Sequence, residues 1–291
     1  MSSSVYVDQA HAINARDVAF DFGTVPMHYI PGEVMATHII NVMHLVLPEG
    51  ERAMAQALAE ALPLIEDERL REEVRGFIGQ EAMHASSHEA ARDQLRRLGL
   101  DVDPMVKRVA WLVDRVLGDN GLSGRAKHAW LCERLALFAG MEHYTAVIGE
   151  WLLTNDTLAA KGMHPAMLDL IRWHGAEEVE HRSVVYDAYM YVDGGYGRKA
   201  RQAVIASAGL LALFVISGGY LFHQDPSPRK GRLWPLQLAS ASLRGVVPSF
   251  TTFFTELPRY LRPGFHPSQL GPMDNALRYL AQSPAARAAI A

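Results

Sequence analysis

From Glu33 to Leu62 apolar residues recur at steps of three and four, the spacing of one helix face, and Pro63 stops the run. Pro48-Glu49-Gly50 is the one place where this helix could break. A second helical pattern covers residues 66–98 and ends at Gly99, which suits a C′ position. Asp103-Pro104 reads as a cap followed by an opening proline, with a shorter helix to about Leu117. GDNGLSG is a turn, and helices are predicted over 125–153 and from His164-Pro165 to about Tyr191, where DGGYG ends the pattern. Alternating β runs and hairpin dipeptides are absent from this middle region, so the fold class is all-α. Residues 1–32 hold no sustained period and end in Pro31-Gly32, an irregular lead-in. Residues 203–222 carry no charge, and the last 60 residues form short helices punctuated by proline. The expected organisation is a lead-in over 1–32, a helical bundle over 33–195 and a C-terminal helical extension packing on it over 196–291.

Four of these helices place acidic or imidazole groups among apolar neighbours, which is costly unless the charge is compensated. Glu51 shares a face with His44, Leu47, Met54 and Leu58. Glu81, His84 and His88 follow one another at steps of three and four, and Val74, Phe77 and Ile78 continue their face. Glu142 follows Leu135 and Phe138 on one stripe. His174, Glu178 and His181 lie within roughly 60° of one another on a helical wheel. The helices thus present Glu, Glu-x-x-His, Glu and Glu-x-x-His in order. That donor set belongs to ferritin-like four-helix bundles that hold two metal ions, in which four carboxylates neutralise two divalent cations. One Glu-x-x-His is a weak signal; two, each preceded at 30 to 36 residues by an inward glutamate, form a specific one. The competing reading is a pair of ordinary helical hairpins with solvated acidic faces. Glu177 and Glu180 are expected to be solvated, and Glu133 is a weaker alternative to Glu142.

Composition narrows the chemistry. A chain of 291 residues can bury a sizeable core. The net charge of −4 offers no basic footprint for nucleic acid. A single cysteine, Cys132, excludes a disulfide framework and a thiolate cage, so a metal site must use His, Asp and Glu, which suits iron, manganese or zinc. Gly-x-Ser-x-Gly, P-loop and Gly-x-Gly-x-x-Gly motifs are absent. The N-terminus lacks a basic stretch followed by an apolar run, so the expected compartment is the cytoplasm. The uncharged segment 203–222 is of membrane-spanning length, flanked by Lys199 and Arg201 at one end and by His223, Asp225, Arg229 and Lys230 at the other. The favoured expectation is a helix buried on all sides, with Gly209, Gly218 and Gly219 permitting close approach; membrane association through 203–222 is the alternative.

Leu47-Pro-Glu-Gly-Glu51, Gln80-Glu-Ala-Met-His84 through His88, Glu142-His-Tyr-Thr-Ala146, and Trp173-His174 through Glu178-x-x-His181 resemble a bacterial family labelled predicted metal-dependent hydrolases, across about residues 30–195. The ligand pattern is also similar to that of ferritin-like di-iron oxygenases. The His-x-x-x-Glu-x-x-His run resembles arylamine N-oxygenases, which implies His174 as a seventh ligand beside Glu51, Glu81, His84, Glu142, Glu178 and His181; the alternative for His174 is a core histidine or one standing beside the ligands. His88 and His44 are expected beside the ligands rather than on the metal. This resemblance implies two iron ions, with manganese or zinc as alternatives, O2 as co-substrate, and electrons from an external donor, a separate reductase, or from the substrate itself; a small hydrophobic organic substrate and a homodimer are further expectations. The implied activity is oxidation or oxygenation; the alternative is hydrolysis with a metal-activated water.

Overall fold

The computed structural model describes residues 12–227 and 233–289, and Arg229, Lys230 and residues 1–11 of the lead-in lie outside them. Its regular elements are helices, and among the described residues no β-strand occurs. Four long helices form a bundle: α1 (Val34–Ala61), α2 (Glu68–Arg97), then, after the short α3 (Asp103–Leu112), α4 (Gly124–Thr154), and, after the single turn α5 (Thr157–Ala160), α6 (Pro165–His181). The Asp67 carboxylate caps α2 by accepting from the Leu70 amide. Gly99 closes the same helix at φ 87°, a left-handed conformation that glycine adopts without penalty.

The helix α1 is the central post. Every residue from Met35 to Val46 is buried, because α2, α4, α8 (Tyr196–Gln224) and α9 (Trp234–Leu243) surround it. The expected weak point at Pro48 does not break it. Pro48 is itself buried, and packing holds the helix through a residue that forfeits one backbone hydrogen bond. The predicted helix from His164 to Tyr191 is two helices, since the backbone turns at Arg182 and Ser183 before α7 (Val184–Val192) begins. Buried Arg182 explains the turn: its guanidinium donates to the Gly271 carbonyl at 2.6 Å, which anchors the chain just after His181.

The closest approach of α4 and α6 depends on two glycines. A Cβ on Gly149 would stand 2.4 Å from the Gly175 carbonyl oxygen, and one on Gly175 would stand 3.0 Å from the Gly149 Cα. Gly149→Val is therefore expected to lower stability by at least about 1–3 kcal/mol. Gly50→Ala, in helical backbone with open space around it, should raise stability by about 0.5–1 kcal/mol. Denaturant titration of both variants checks the pair.

The uncharged segment departs from expectation. It is helical within α8, and Gly218 does permit close approach, since a Cβ there would meet Ile39 at 2.7 Å. Gly209, however, faces open space. One face of α8 packs on α1 and α4, while Val204, Ile205 and Ile216 on the other face are exposed, so the helix is not buried on all sides. It is long and apolar enough to cross a membrane, and 39% of its most apolar stretch is buried inside the protein. The helices α10 (Thr251–Tyr260), α11 (Asp274–Gln282) and α12 (Pro284–Ala288) pack against α4, α6 and α8.

Candidate metal centre

Helix periodicity turns seven polar positions toward one another in the middle of the bundle. Glu51 comes from α1, Glu81 and His84 from α2, Glu142 from α4, and His174, Glu178 and His181 from α6, and none is more than 3% exposed. Ligand atoms of Glu51, His84, His174 and Glu178 all lie within 4.8 Å of one another, as do those of Glu81, Glu142, Glu178 and His181. The two groups share Glu178 and together contain all seven residues singled out as ligand candidates.

Each imidazole is oriented by a partner on its other nitrogen. His84 Nε2 donates to the Glu177 carboxylate at 3.0 Å, which leaves Nδ1 as the lone pair facing Glu81 and Glu178 at 3.5 and 3.7 Å. His181 Nδ1 donates to the Gln80 carbonyl oxygen at 2.9 Å, leaving Nε2 facing Glu81, Glu142 and Glu178 at 3.4, 3.4 and 3.6 Å. His174 Nδ1 pairs with His88 Nε2 at 3.0 Å, and its Nε2 lies 3.0 Å from Glu178. Such outer hydrogen bonds fix which nitrogen can bind a metal.

The donor atoms fit two cations. Both oxygens of Glu51, both of Glu81, Oε2 of Glu142, Oε2 of Glu178, Nδ1 of His84 and Nε2 of His181 are buried without a hydrogen-bond partner among the described residues. Unpartnered buried acceptors on this scale are costly. Atoms bonded to one ion at about 2.0–2.2 Å stand roughly 3–4 Å apart, the separation seen across the imidazole–carboxylate contacts. Charge points the same way. Burial, followed by the negative charge of Glu81, pushes the Glu51 carboxyl well above its ordinary range. Burial and then the Glu178 charge push Glu142 up to about 8. His84 and His181 rise despite burial, because Glu177 and Glu81 hold the proton on one, and Glu142 and Glu178 hold it on the other. Glu51, Glu142, His84 and His181 in this buried interior thus take up positive charge, as protons or as metal ions.

Two acidic residues are placed differently from the expectation. Glu177 and Glu180 are buried, because the lead-in folds across α6 and brings Arg16 onto both, at 2.6 and 2.8 Å. Arg16 had no signal in the sequence, since it sits in a segment without periodicity. Gln80, which donates to Glu180 at 2.6 Å while accepting from His181, was visible only as the neighbour of Glu81. Glu133 is far from the centre in its bonding, held by Arg198, Arg201 and Gln202. His88 and His44 lie beside the cluster, with His44 Nδ1 at 2.8 Å from His88 Nδ1. Arg16→Met should cost about 3–5 kcal/mol, since it leaves two buried carboxylates without their cation. Thermal unfolding of the variant tests this.

A cavity of about 90 Å³ opens against His174. Ile40 and Met43 of α1, Ile148 of α4, Phe214 of α8 and Phe253 of α10 help line it, and no acidic or basic side chain other than His174 reaches it among the described residues.

The profile of a family described as "Predicted metal-dependent hydrolase" matches residues 14–271 of the chain. No curated protein and no solved structure matches it.

Proposed function

From the premise that this chain belongs to the predicted metal-dependent hydrolase family, we propose that it is a dinuclear metal enzyme. Glu51, His84, His174 and Glu178 would hold one ion, and Glu81, Glu142, Glu178 and His181 the other. The observation that carries this is the convergence of buried, unpartnered carboxylate oxygens and imidazole nitrogens from four helices onto two groups joined by Glu178.

The family description supports hydrolysis as the reaction. Two divalent ions would supply Lewis acidity, lowering the pKa of a coordinated water and stabilising charge on the oxygen under attack. The chain's own groups do the rest. Glu177 and Gln80 hold His84 and His181 in the tautomers that leave a nitrogen free toward the centre. Arg16 neutralises Glu177 and Glu180, so these do not compete as ligands. The apolar cavity excludes bulk water and accepts an uncharged part of the substrate beside His174.

A second reading, oxidation by O2 with iron and an external electron donor, is favoured by a specific pair of observations. The donor order over the four helices is that of dinuclear carboxylate proteins, and the cavity against His174 is apolar and of a size suited to a small gas. The test is metal analysis of protein purified from its own host, followed by turnover under two regimes. Two ions per chain and ester or amide hydrolysis by zinc- or manganese-loaded protein without oxygen establish the first reading. Two irons per chain, with oxygen consumed by the Fe(II)-loaded protein, establish the second. Less than one ion per chain after reconstitution overturns the dinuclear proposal altogether.

A further inference from the structure

Three buried imidazoles form an unbroken line leading away from the centre. His174 Nε2 stands 3.0 Å from Glu178 Oε1, His174 Nδ1 stands 3.0 Å from His88 Nε2, and His88 Nδ1 stands 2.8 Å from His44 Nδ1. The far nitrogen, His44 Nε2, is buried without a hydrogen-bond partner among the described residues. All three rings are at most 2% exposed, and an imidazolium charge is costly at such burial, so each ring takes its neutral form.

A neutral imidazole has one N–H and one lone pair. Each nitrogen-to-nitrogen bond needs one donor and one acceptor, so the line admits only two proton patterns. In the first, His174 Nε2–H donates to Glu178, His88 Nε2–H donates to His174, and His44 Nδ1–H donates to His88; His44 Nε2 then carries a lone pair. In the second, every hydrogen bond runs the other way. His174 Nε2 carries the lone pair, His174 Nδ1–H donates to His88 Nε2, His88 Nδ1–H donates to His44 Nδ1, and His44 Nε2 carries the hydrogen. Only the second leaves His174 Nε2 free to bind a metal.

We propose that His88 and His44 are positioning residues that hold the His174 ring and couple its tautomer to their own, so that occupation of His174 Nε2 moves the N–H of His44 from Nδ1 to Nε2. The change balances. One proton from solvent water enters at His44 Nε2, one crosses from His44 Nδ1 to His88 Nδ1, one crosses from His88 Nε2 to His174 Nδ1, and the proton on His174 Nε2 returns to solvent water by way of the Glu178 carboxylate. Each ring stays neutral before and after. The inference rests on the dinuclear reading, in which His174 is a ligand.

The test is long-range proton–nitrogen NMR on the full-length chain with 15N-labelled histidine, metal-free and after loading with zinc, with zinc stoichiometry measured on the same sample. The expected result is two zinc ions per chain and a change of the His44 signals from an Nδ1–H to an Nε2–H pattern. His88→Phe should abolish that change and weaken zinc binding about 10–100-fold at one of the two sites, with His88→Gln, which can still donate and accept, recovering part of the affinity. Two zinc ions bound with the His44 tautomer unchanged would overturn the inference while leaving the dinuclear reading in place. Failure to bind zinc or any other divalent ion would overturn both.

Discussion

Replacing Glu178 with alanine is expected to empty both halves of the centre, taking metal content from two ions per chain to none. Glu178 is the one residue that belongs to both ligand groups. Its two oxygens face different imidazoles, Oε1 toward His174 at 3.0 Å and Oε2 toward His181 at 3.6 Å. Loss of a partner one step removed from a metal already costs about 10–100-fold in affinity, so removal of a shared ligand should cost more than about 100-fold at each ion. Glu51→Ala removes a ligand from one group only and should retain one ion. Glu133→Ala touches neither group and should retain both. Elemental analysis of the three variants reads the outcome, and two ions bound to Glu178→Ala would sink the assignment of the shared carboxylate.

Chelation of the metals should lower the melting temperature by roughly 8–16 °C. A ligand present at about 1,000 times its Kd stabilises the folded state by about 4 kcal/mol, and each kcal/mol moves the midpoint of a chain of this size by about 2–4 °C. The destabilisation is limited because protons take the place of the ions. Burial and mutual repulsion raise the Glu51 and Glu142 carboxyls, while their carboxylate neighbours hold protons on His84 and His181. The metal-free bundle should therefore keep its helical circular dichroism while its melting point falls. Scanning calorimetry before and after dialysis against a chelator, with zinc or iron added back, measures the shift. An unchanged midpoint would mean that the cluster does not bind metal tightly in the folded state.

Much of this was legible because helices repeat. Steps of three and four placed Glu81 with His84 and Glu178 with His181 on single faces, and apolar neighbours such as Leu135 and Phe138 turned those faces inward. What the sequence concealed has no period. Arg16 lies in a non-helical stretch, and its effect on Glu177 and Glu180 crosses more than 160 positions. Without it, a wheel argument sends both glutamates to solvent. Gly149 and Gly175 look like unfavourable helix residues until the backbones of α4 and α6 meet there. The length and apolar content of 203–222 could not say that one face of α8 is covered by α1 and α4 while the other carries exposed Val204, Ile205 and Ile216. Pattern reports which face of a helix is apolar, and only tertiary structure reports how many faces are covered.

The Arg16 contact also sets an order of events during synthesis. Arg16 is made 161 residues before Glu177, so the latch across α6 cannot close until the last ligand helix has left the ribosome. Contacts of such long sequence separation form late in folding. Until then α6 lacks its cover, and on the dinuclear reading the interval between completion of α6 and closure of the latch is the expected window for metal capture. A chain that latches before capture would keep protons where that reading puts ions, so closure and capture are expected to compete.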